Sequence, residues 1–326
     1  AEVVGATLKV VWEPDAHVSQ YELGWLRRHC YSDTERAKRF HRPRLWDASI
    51  SEDPPTVDYE RARVGGLERL DLLRHLRDFG FVIVRGGPPT DDGVESVARL
   101  IGEVAESAYG KFFDLTPKSS YKTLGNTHHP VPPHTDEAYR HNPPGINILH
   151  CVRQAETGGE NVLVDGFNLG ERLRELDPDG FQLLTTQPQL YHRIAHHDKV
   201  DQRTRAPVFV LDETEMIVGF RFHTRSAGPL DAPSHLVPAI FAANHTLGEL
   251  MMDERNHACL RLHSGDAVMF DNQRVMHARK SFTDPERKMR ICNVSREQFH
   301  ERLRLTAAEL GFEDEANQIL AAGVCG

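Results

Sequence analysis

Two places in the chain carry histidine and aspartate at a spacing that could hold a metal ion: His134-Thr135-Asp136 and His196-His197-Asp198. On an extended segment the side chains at i and i+2 point to the same face, so an imidazole and a carboxylate can share one ion. With 19 histidines in 326 residues, chance alone yields about one such match, so the spacing decides nothing by itself. The surroundings separate the two. His134 follows Pro130-Val131-Pro132-Pro133, and proline biases the residue before it to extended backbone. His196 and Asp198 lie in the polar stretch from Ala195 to Arg205, which reads as a solvated surface loop.

A metal site of this kind needs a third ligand. His277 stands just beyond Gly265–Asn272, a turn and strand that would deliver it to the end of a sheet. Two histidines and one carboxylate occupy one face of a metal and leave the other open, the geometry of non-haem iron(II) oxygenases. Ten residues on comes Arg287, then Arg290 flanked by Met289 and Ile291. A guanidinium there could grip a carboxylate through two parallel hydrogen bonds. On these residues alone, His277 as a core or capping histidine stays open.

The elements that must position these groups can be read from periodicity. Ala6–Trp12 is strand-like, and Ser19–Arg28 carries Tyr21, Trp25 and Leu26 at helical spacing. Ser51-Glu52-Asp53-Pro54-Pro55 reads as a linker, which puts a domain boundary near residue 57. Leu67, Leu70, Leu73 and Leu76 predict a helix stopped by Gly80, Phe81–Val84 a buried strand, and Val94, Val97, Ile101 and Val104 a second helix. From about residue 121 to 290 short extended runs alternate with turns: Gly145–Cys151, Asn161–Val164, Pro207–Leu211, Met216–Phe222, Ala267–Phe270 and Met289–Val294. One helical interruption is expected at Leu236–Met252, and the last 30 residues return to helix. The pattern is that of an antiparallel sandwich or barrel with flanking helices, a mainly β, α+β chain.

Composition narrows the function classes. The 39 basic and 48 acidic side chains give a net charge of −9, which argues against electrostatic nucleic-acid binding. No apolar run approaches the roughly 20 residues needed to cross a bilayer. The five cysteines (Cys30, Cys151, Cys259, Cys292, Cys325) are odd in number and lack C-x-x-C spacing. They imply no disulfide framework, and a cytoplasmic setting is expected.

The motifs around the candidate ligands are more specific than any spacing. After His134-Thr135-Asp136 come Pro143-Pro144-Gly145-Ile146-Asn147-Ile148-Leu149-His150-Cys151, then Thr157-Gly158-Gly159-Glu160-Asn161-Val162-Leu163-Val164-Asp165-Gly166-Phe167, and later Phe270-Asp271-Asn272-Gln273-Arg274-Val275-Met276-His277-Ala278-Arg279. From about Leu8 to Arg304 the chain resembles the γ-butyrobetaine hydroxylase and trimethyllysine hydroxylase branch of the iron(II)/2-oxoglutarate oxygenases, cousins of taurine dioxygenase. The resemblance implies a double-stranded β-helix (jelly-roll) core over residues 57–326, with iron(II) held by His134, Asp136 and His277. It implies 2-oxoglutarate and O2 as co-substrates, the far carboxylate on Arg287 with Arg290 as the alternative, and Asn161 as a small polar contact. A homodimer acting on a small zwitterionic amine is the corresponding expectation.

The departures from that family are informative. Relatives that take trimethylammonium substrates surround the cation with aromatic faces; the matching positions here read Tyr109, Phe113, Asn126 and Asn293, half aromatic and half amide. Near the position that reads the substrate's carboxylate stand Arg221, His223 and Arg225. On a strand these three share a face, an anion clamp or, for Arg225 in particular, an exposed basic strand. The expected substrate is therefore a zwitterion with a carboxylate, phosphonate or sulfonate end, other than γ-butyrobetaine itself. Residues 1–56 resemble the end of the family's small zinc-binding domain, with His17 at its histidine position, but no cysteine precedes it. One histidine cannot hold structural zinc, so this remnant is expected to carry none.

Two rival readings remain at this stage: a zinc-dependent hydrolase on the same ligands, and a catalytically silent jelly-roll binding protein. The first lacks an evident general base and leaves both arginines unexplained; the second has no use for a complete triad plus Arg287. The context argument makes a prediction. His134→Ala should abolish the weak visible charge-transfer band of an iron(II)–2-oxoglutarate chelate, and His196→Ala should leave it unchanged; the reverse result would transfer the site to the second motif.

Overall fold

The structure, a computed structural model, describes residues 1–107, 110–119, 123–195 and 199–318. Strands β1 (Glu2–Val4), β2 (Thr7–Val11) and β3 (Val18–Glu22) form a small antiparallel sheet, followed by helices α1 (Leu23–Arg28) and α2 (Asp33–Arg39). The helix expected over Ser19–Arg28 is thus half strand. Backbone pairing with β2 holds residues 18–22 extended, and helix begins only where that pairing ends.

Beyond it the chain builds two sheets. The larger has the order β4 (Thr56–Asp58), β5 (Phe81–Arg85), β15 (Ala267–Asp271), β8 (Ile146–Arg153), β17 (Lys288–Val294), β6 (Phe113–Leu115). The smaller runs β14 (Ala258–Leu260), β9 (Asn161–Asp165), β16 (Val275–Arg279), β7 (Val131–His134). Only β4–β5 is parallel among these pairs. Two hairpins, β10 (Gln189–Ala195) with β11 (Val200–Ala206) and β12 (Phe209–Leu211) with β13 (Ile217–Phe220), flank them.

The run Phe81-Val82-Ile83-Val84 explains how the layers stack. Period-two alternation sends Phe81 and Ile83 one way and Val82 and Val84 the other. Phe81 and Ile83 meet Leu149, Val268 and Phe270 of their own sheet and Leu163, Leu260 and Val275 of the smaller one, so this core lies between the sheets. Val82 and Val84 pack outward against α4 (Gly66–Phe79), α5 (Gly93–Ala98) and α9 (Arg296–Glu309). Val162, Val164 and Met276 of the smaller sheet pack against α6 (Gly166–Leu176), α7 (Pro178–Thr186) and α8 (Val237–Met252). The short helices α3 (Tyr59–Val64) and α10 (Glu313–Ala316) complete the set. Among the described residues no helix is long and apolar enough to cross a membrane.

Most expected elements occur near their predicted bounds. Helix α4 ends on Gly80 in the left-handed conformation (φ 74°), where a Cβ would come within 2.8 Å of the Arg274 side chain. Three expectations need correcting. The second helix is shorter, ending at Ala98. The β region holds α6 and α7 as well as α8, since apolar Phe167, Leu169, Leu173, Phe181 and Leu184 bury against the smaller sheet. The polar stretch read as a loop includes β11, whose charged Asp201, Arg203 and Arg205 alternate outward from Thr204. Such a strand is polar on its open face and still pairs its backbone with β10.

Trp46 ties the segment before β4 to this body. It is buried, stands edge-on to Phe81 at 5.0 Å, and its indole N–H donates to the Phe79 carbonyl at 2.7 Å. Trp46→Ala should cost about 3–5 kcal/mol in urea denaturation. A change within about 0.5 kcal/mol, that of a surface residue, would show that this segment is not part of the folded core.

Candidate active site

His134 ends β7, where Val131-Pro132-Pro133 keeps the backbone extended, and it is the cross-strand partner of His277 on β16. Their rings lie 4.3 Å apart at 39°. Two residues on, Asp136 turns its carboxylate to both: Oδ1 is 3.5 Å from His134 Nε2 and Oδ2 is 3.6 Å from His277 Nε2. One ligand atom from each of the three residues falls within 4.8 Å of the others, the one such group found among the described residues.

The protonation states suit a cation. His134 Nδ1 lies 2.9 Å from the Pro132 carbonyl; a carbonyl only accepts, so the proton sits on Nδ1 and Nε2 presents its lone pair. Burial pushes His277 down to about 4, against the pull of Asp136 and with His134 and Arg225 adding to the fall. His223, whose ring is 5.0 Å from His134, is pushed down to about 3 by burial, His134 and Arg225. Burial works against an ionised Asp136, but His277, His134 and His223 together hold it well below the usual carboxylate range. Two imidazoles and an ionised carboxylate, each imidazole free to present a ring-nitrogen lone pair, form the donor set a divalent metal requires. The residues present fit such an ion.

Two residues given no role in the sequence reading hold Asp136 in place. Asn147 Nδ2 on β8 donates to Asp136 Oδ2 at 2.9 Å. Asn272 Oδ1 accepts from the Asp136 backbone N–H at 2.7 Å, while its Nδ2 donates to the Asp136 carbonyl at 3.1 Å. Both amides are buried. The available signal was an asparagine between two isoleucines in a buried strand.

The triad opens into a cavity of about 670 Å³. Arg287 lines it at 1% exposure, stacked over Phe282 at 5.0 Å. Its donors reach only the Gln154 Oε1 and the Gly159 carbonyl, both at 3.2 Å, and no carboxylate pairs with it among the described residues. Burial lowers it to about 10. Gly159 (φ 71°) allows this approach, because a Cβ there would lie 2.9 Å from Arg287 Nε. Arg290 is placed differently: it is outside the cavity lining, 3.2 Å from Asp91, 3.5 Å from Asp114 and over the Phe112 ring.

Asn161 lines the cavity with its Nδ2 buried and unpartnered. Phe113, Asn293 and His223 also line it, and His223 Nδ1 is 3.1 Å from Ser226 Oγ. Asn126 is buried beside the cavity, where its Oδ1 accepts from the Thr116 backbone at 3.2 Å. Tyr109, His196, His197 and Asp198 lie outside the described residues. Arg221, His223 and Arg225 do not share a strand face: β13 stops at Phe220, and 224–226 form a helical turn. The Phe222 carbonyl is taken by the Thr135 N–H at 2.9 Å, which draws the chain off the hairpin. Arg221 then points away, donating to the Ala138 and Arg140 carbonyls at 3.0 Å. Arg225 lines the cavity instead, with no hydrogen bond or ion pair among the described residues. Glu137, also missed, lines it too and pairs with Arg140 at 3.1 Å.

Residues 33–293 match the family profile described as taurine catabolism dioxygenase TauD, TfdA family. The γ-butyrobetaine dioxygenase of Pseudomonas sp. (strain AK-1) is 32% identical over 303 residues, covering 91% of this chain and 77% of its own. The mitochondrial trimethyllysine dioxygenase of Rattus norvegicus is 29% identical over 304 residues, covering 90% and 70%. Among solved structures, asparagine oxygenase in complex with Fe(II), 2S,3S-3-hydroxyasparagine and succinate superposes with a TM-score of 0.56 at 16% identity, over 73% of this chain and 83% of that one. Non-heme iron oxygenase OrfP in complex with Fe and alpha-ketoglutaric acid gives 0.55 at 17%, over 76% and 85%. These structures share the fold. The protein is a non-haem iron(II)/2-oxoglutarate-dependent dioxygenase. It belongs to the TauD/TfdA family.

The amide support for Asp136 is open to test. Asn147→Ala should weaken Mn(II) or Fe(II) binding in anaerobic titration by about 10- to 100-fold, the usual loss when a ligand's outer partner is removed. An unchanged affinity would mean that Asn272 alone orients the carboxylate.

Proposed function

We propose that this dioxygenase hydroxylates a small zwitterionic amine with an anionic far end, using His134, Asp136 and His277 as the iron ligands. The observation that carries the reading is Arg287, a buried guanidinium in the triad's cavity with no carboxylate partner among the described residues. An uncompensated buried charge is costly, and an anionic ligand removes that cost. The distal carboxylate of 2-oxoglutarate would sit on Arg287, with the unpartnered Nδ2 of Asn161 as a second donor. The bound metal and co-substrate supply the oxidation, in which O2 converts 2-oxoglutarate to succinate and CO2 and one oxygen atom enters the substrate.

The chain's own residues would then bind and orient. Arg225, unpaired in the cavity, would take the substrate's anionic end beside His223, in place of Arg221. Phe113 gives the wall an aromatic face suited to an ammonium group, beside the Glu137–Arg140 ion pair. Asn293 adds an amide oxygen that can accept from an N–H, which a trimethylammonium group lacks. The inter-sheet core keeps water from the far side of the triad.

We also propose that the two facing sheets are the double-stranded β-helix of this family, supported by the apolar core shared between them. The division into residues 1–56 and 57–326 is supported by the separate sheet of β1–β3. Within that division Trp46, from the first part, packs edge-on to Phe81 of the second.

The test is succinate release across paired amino and trimethylammonio acids with carboxylate, sulfonate or phosphonate ends. We expect coupled turnover only when an anionic end is present, and a higher kcat/KM for the N–H-bearing member of each pair. Preference for the trimethylated member would return the site to a cage reading. Arg287→Ala should weaken 2-oxoglutarate by about 2–5 kcal/mol, read as its KM; a larger effect in Arg290→Ala would move the role to that residue.

A further inference from the structure

A second cavity, of about 100 Å³, lies away from the triad, between the segment after α2, the end of α4, α9 and the turn after β15. Its wall carries Arg77, Arg274, Arg296, Arg304, His41 and His300. Some of this charge is closed internally. Arg274 pairs with Asp165 at 2.9 Å, Arg77 with Glu315 at 2.9 Å and with Asp78 at 2.7 Å, and Arg296 with Asp271 at 3.1 Å.

The rest is open. Among the described residues Arg304 donates only to the Gln318 carbonyl, at 3.3 Å. Arg296 is more than nine-tenths buried, yet its Nε has no hydrogen-bond partner; the buried Nε2 of His41 also lacks one, although Asp78 stands 3.3 Å away. His300 has no hydrogen bond or ion pair among the described residues, only a ring contact with Phe299. Burial pushes it down to about 3, with the guanidiniums of Arg296, Arg304 and Arg77 adding to the fall, although the carboxylates of Asp271 and Glu315 share the wall. Unmet donors and a positive field in one small cavity are what an anion site needs. A water takes about 30 Å³ in the liquid, so the space admits a group of a few heavy atoms.

We propose that this cavity binds a compact tetrahedral oxyanion, of the sulfate or phosphate kind, on the Arg296, Arg304 and His300 side. It is separate from the metal centre and makes no use of the triad. Occupancy would satisfy Arg296 Nε and offset the field on His300. Arg296 also holds Asp271 and, at 3.2 Å, Gln273 Oε1, the two residues that bracket Asn272. The anion would thus stand on the outer side of the turn whose inner side holds Asp136.

The test is thermal melting of the full chain titrated with sodium sulfate against sodium chloride at matched ionic strength. Sulfate stabilises proteins generally by exclusion from their surfaces, so the signal is the saturable part of the rise. We expect it in wild type and in Arg287→Gln, reduced in His300→Gln and absent in Arg304→Gln, a half-buried position on α9 that tolerates the change. A saturable rise kept in Arg304→Gln and lost in Arg287→Gln would place the sulfate in the triad's cavity and overturn the proposal. A wild-type rise with no saturable part would overturn it as well.

Discussion

His134 and His277 meet because they are cross-strand partners where β7 pairs with β16, just ahead of a one-residue shift in register toward Arg279. Slipping one residue would turn every side chain of β7 to the opposite face, taking His134 out of the centre and Asp136 with it. The edge strand that bears this constraint is only four residues long, too short to fix its own register by backbone bonds. The register is held from both ends instead. Ahead of β7, the Arg279 guanidinium donates to the carbonyls of Gly125, Thr127 and His129 at 2.6–2.7 Å. Behind it, Asn272 clamps both backbone groups of Asp136 and Phe222 takes the Thr135 N–H.

Two buried arginines are satisfied in electrically different ways. Arg274 meets both carboxylate oxygens of Asp165, at 3.0 and 2.9 Å, and donates two further N–H groups to the carbonyls of Asp78 and Arg44. Every donor direction it uses closes within the chain, and it locks the turn after β15 to the segment that carries Trp46. Arg287 is as deeply buried but meets only neutral oxygens. The cost of a buried charge falls steeply when a counter-ion with good geometry is present. A fold that leaves that partner out has left the place for a ligand.

Much of this was legible in the sequence where one physical rule dominated. The apolar run of Phe81–Val84 is long enough for a strand and buries both faces; the leucines before it keep helical spacing up to Gly80. The proline-rich approach to His134 pointed to the motif whose side chains do gather with His277, while the second motif lies outside the described residues. What escaped was whatever tertiary hydrogen bonds decide. Arg225 rather than Arg221 lines the cavity where the Phe222 carbonyl is taken by the Thr135 N–H and the strand has ended, and no periodicity reports that. Asn126 and Asn293 look alike in sequence, yet a backbone N–H from Thr116 occupies the first and leaves the second to line the cavity. Asn147 passed as strand filler because its partner, Asp136, is eleven residues away around a turn.

The supports of Asp136 also explain why the site needs both sheets. His134 and His277 belong to the smaller sheet, whereas Asn147 lies on β8 of the larger and Asn272 follows β15 of the larger. The Asp136 carboxylate is thus oriented by a different layer from the one that carries the two histidines. Phe270 fills the gap between the layers, in the inter-sheet core and 5.0 Å from the His277 ring. Interiors are close-packed and transmit strain, so the spacing of the two layers sets the angle at which carboxylate and imidazoles converge. The hydrophobic core here acts as the mount of the His134, Asp136 and His277 cluster. A side-chain change within it that costs little stability would still be felt at the ligands, because orientation errors of a fraction of an ångström matter there and are tolerated elsewhere.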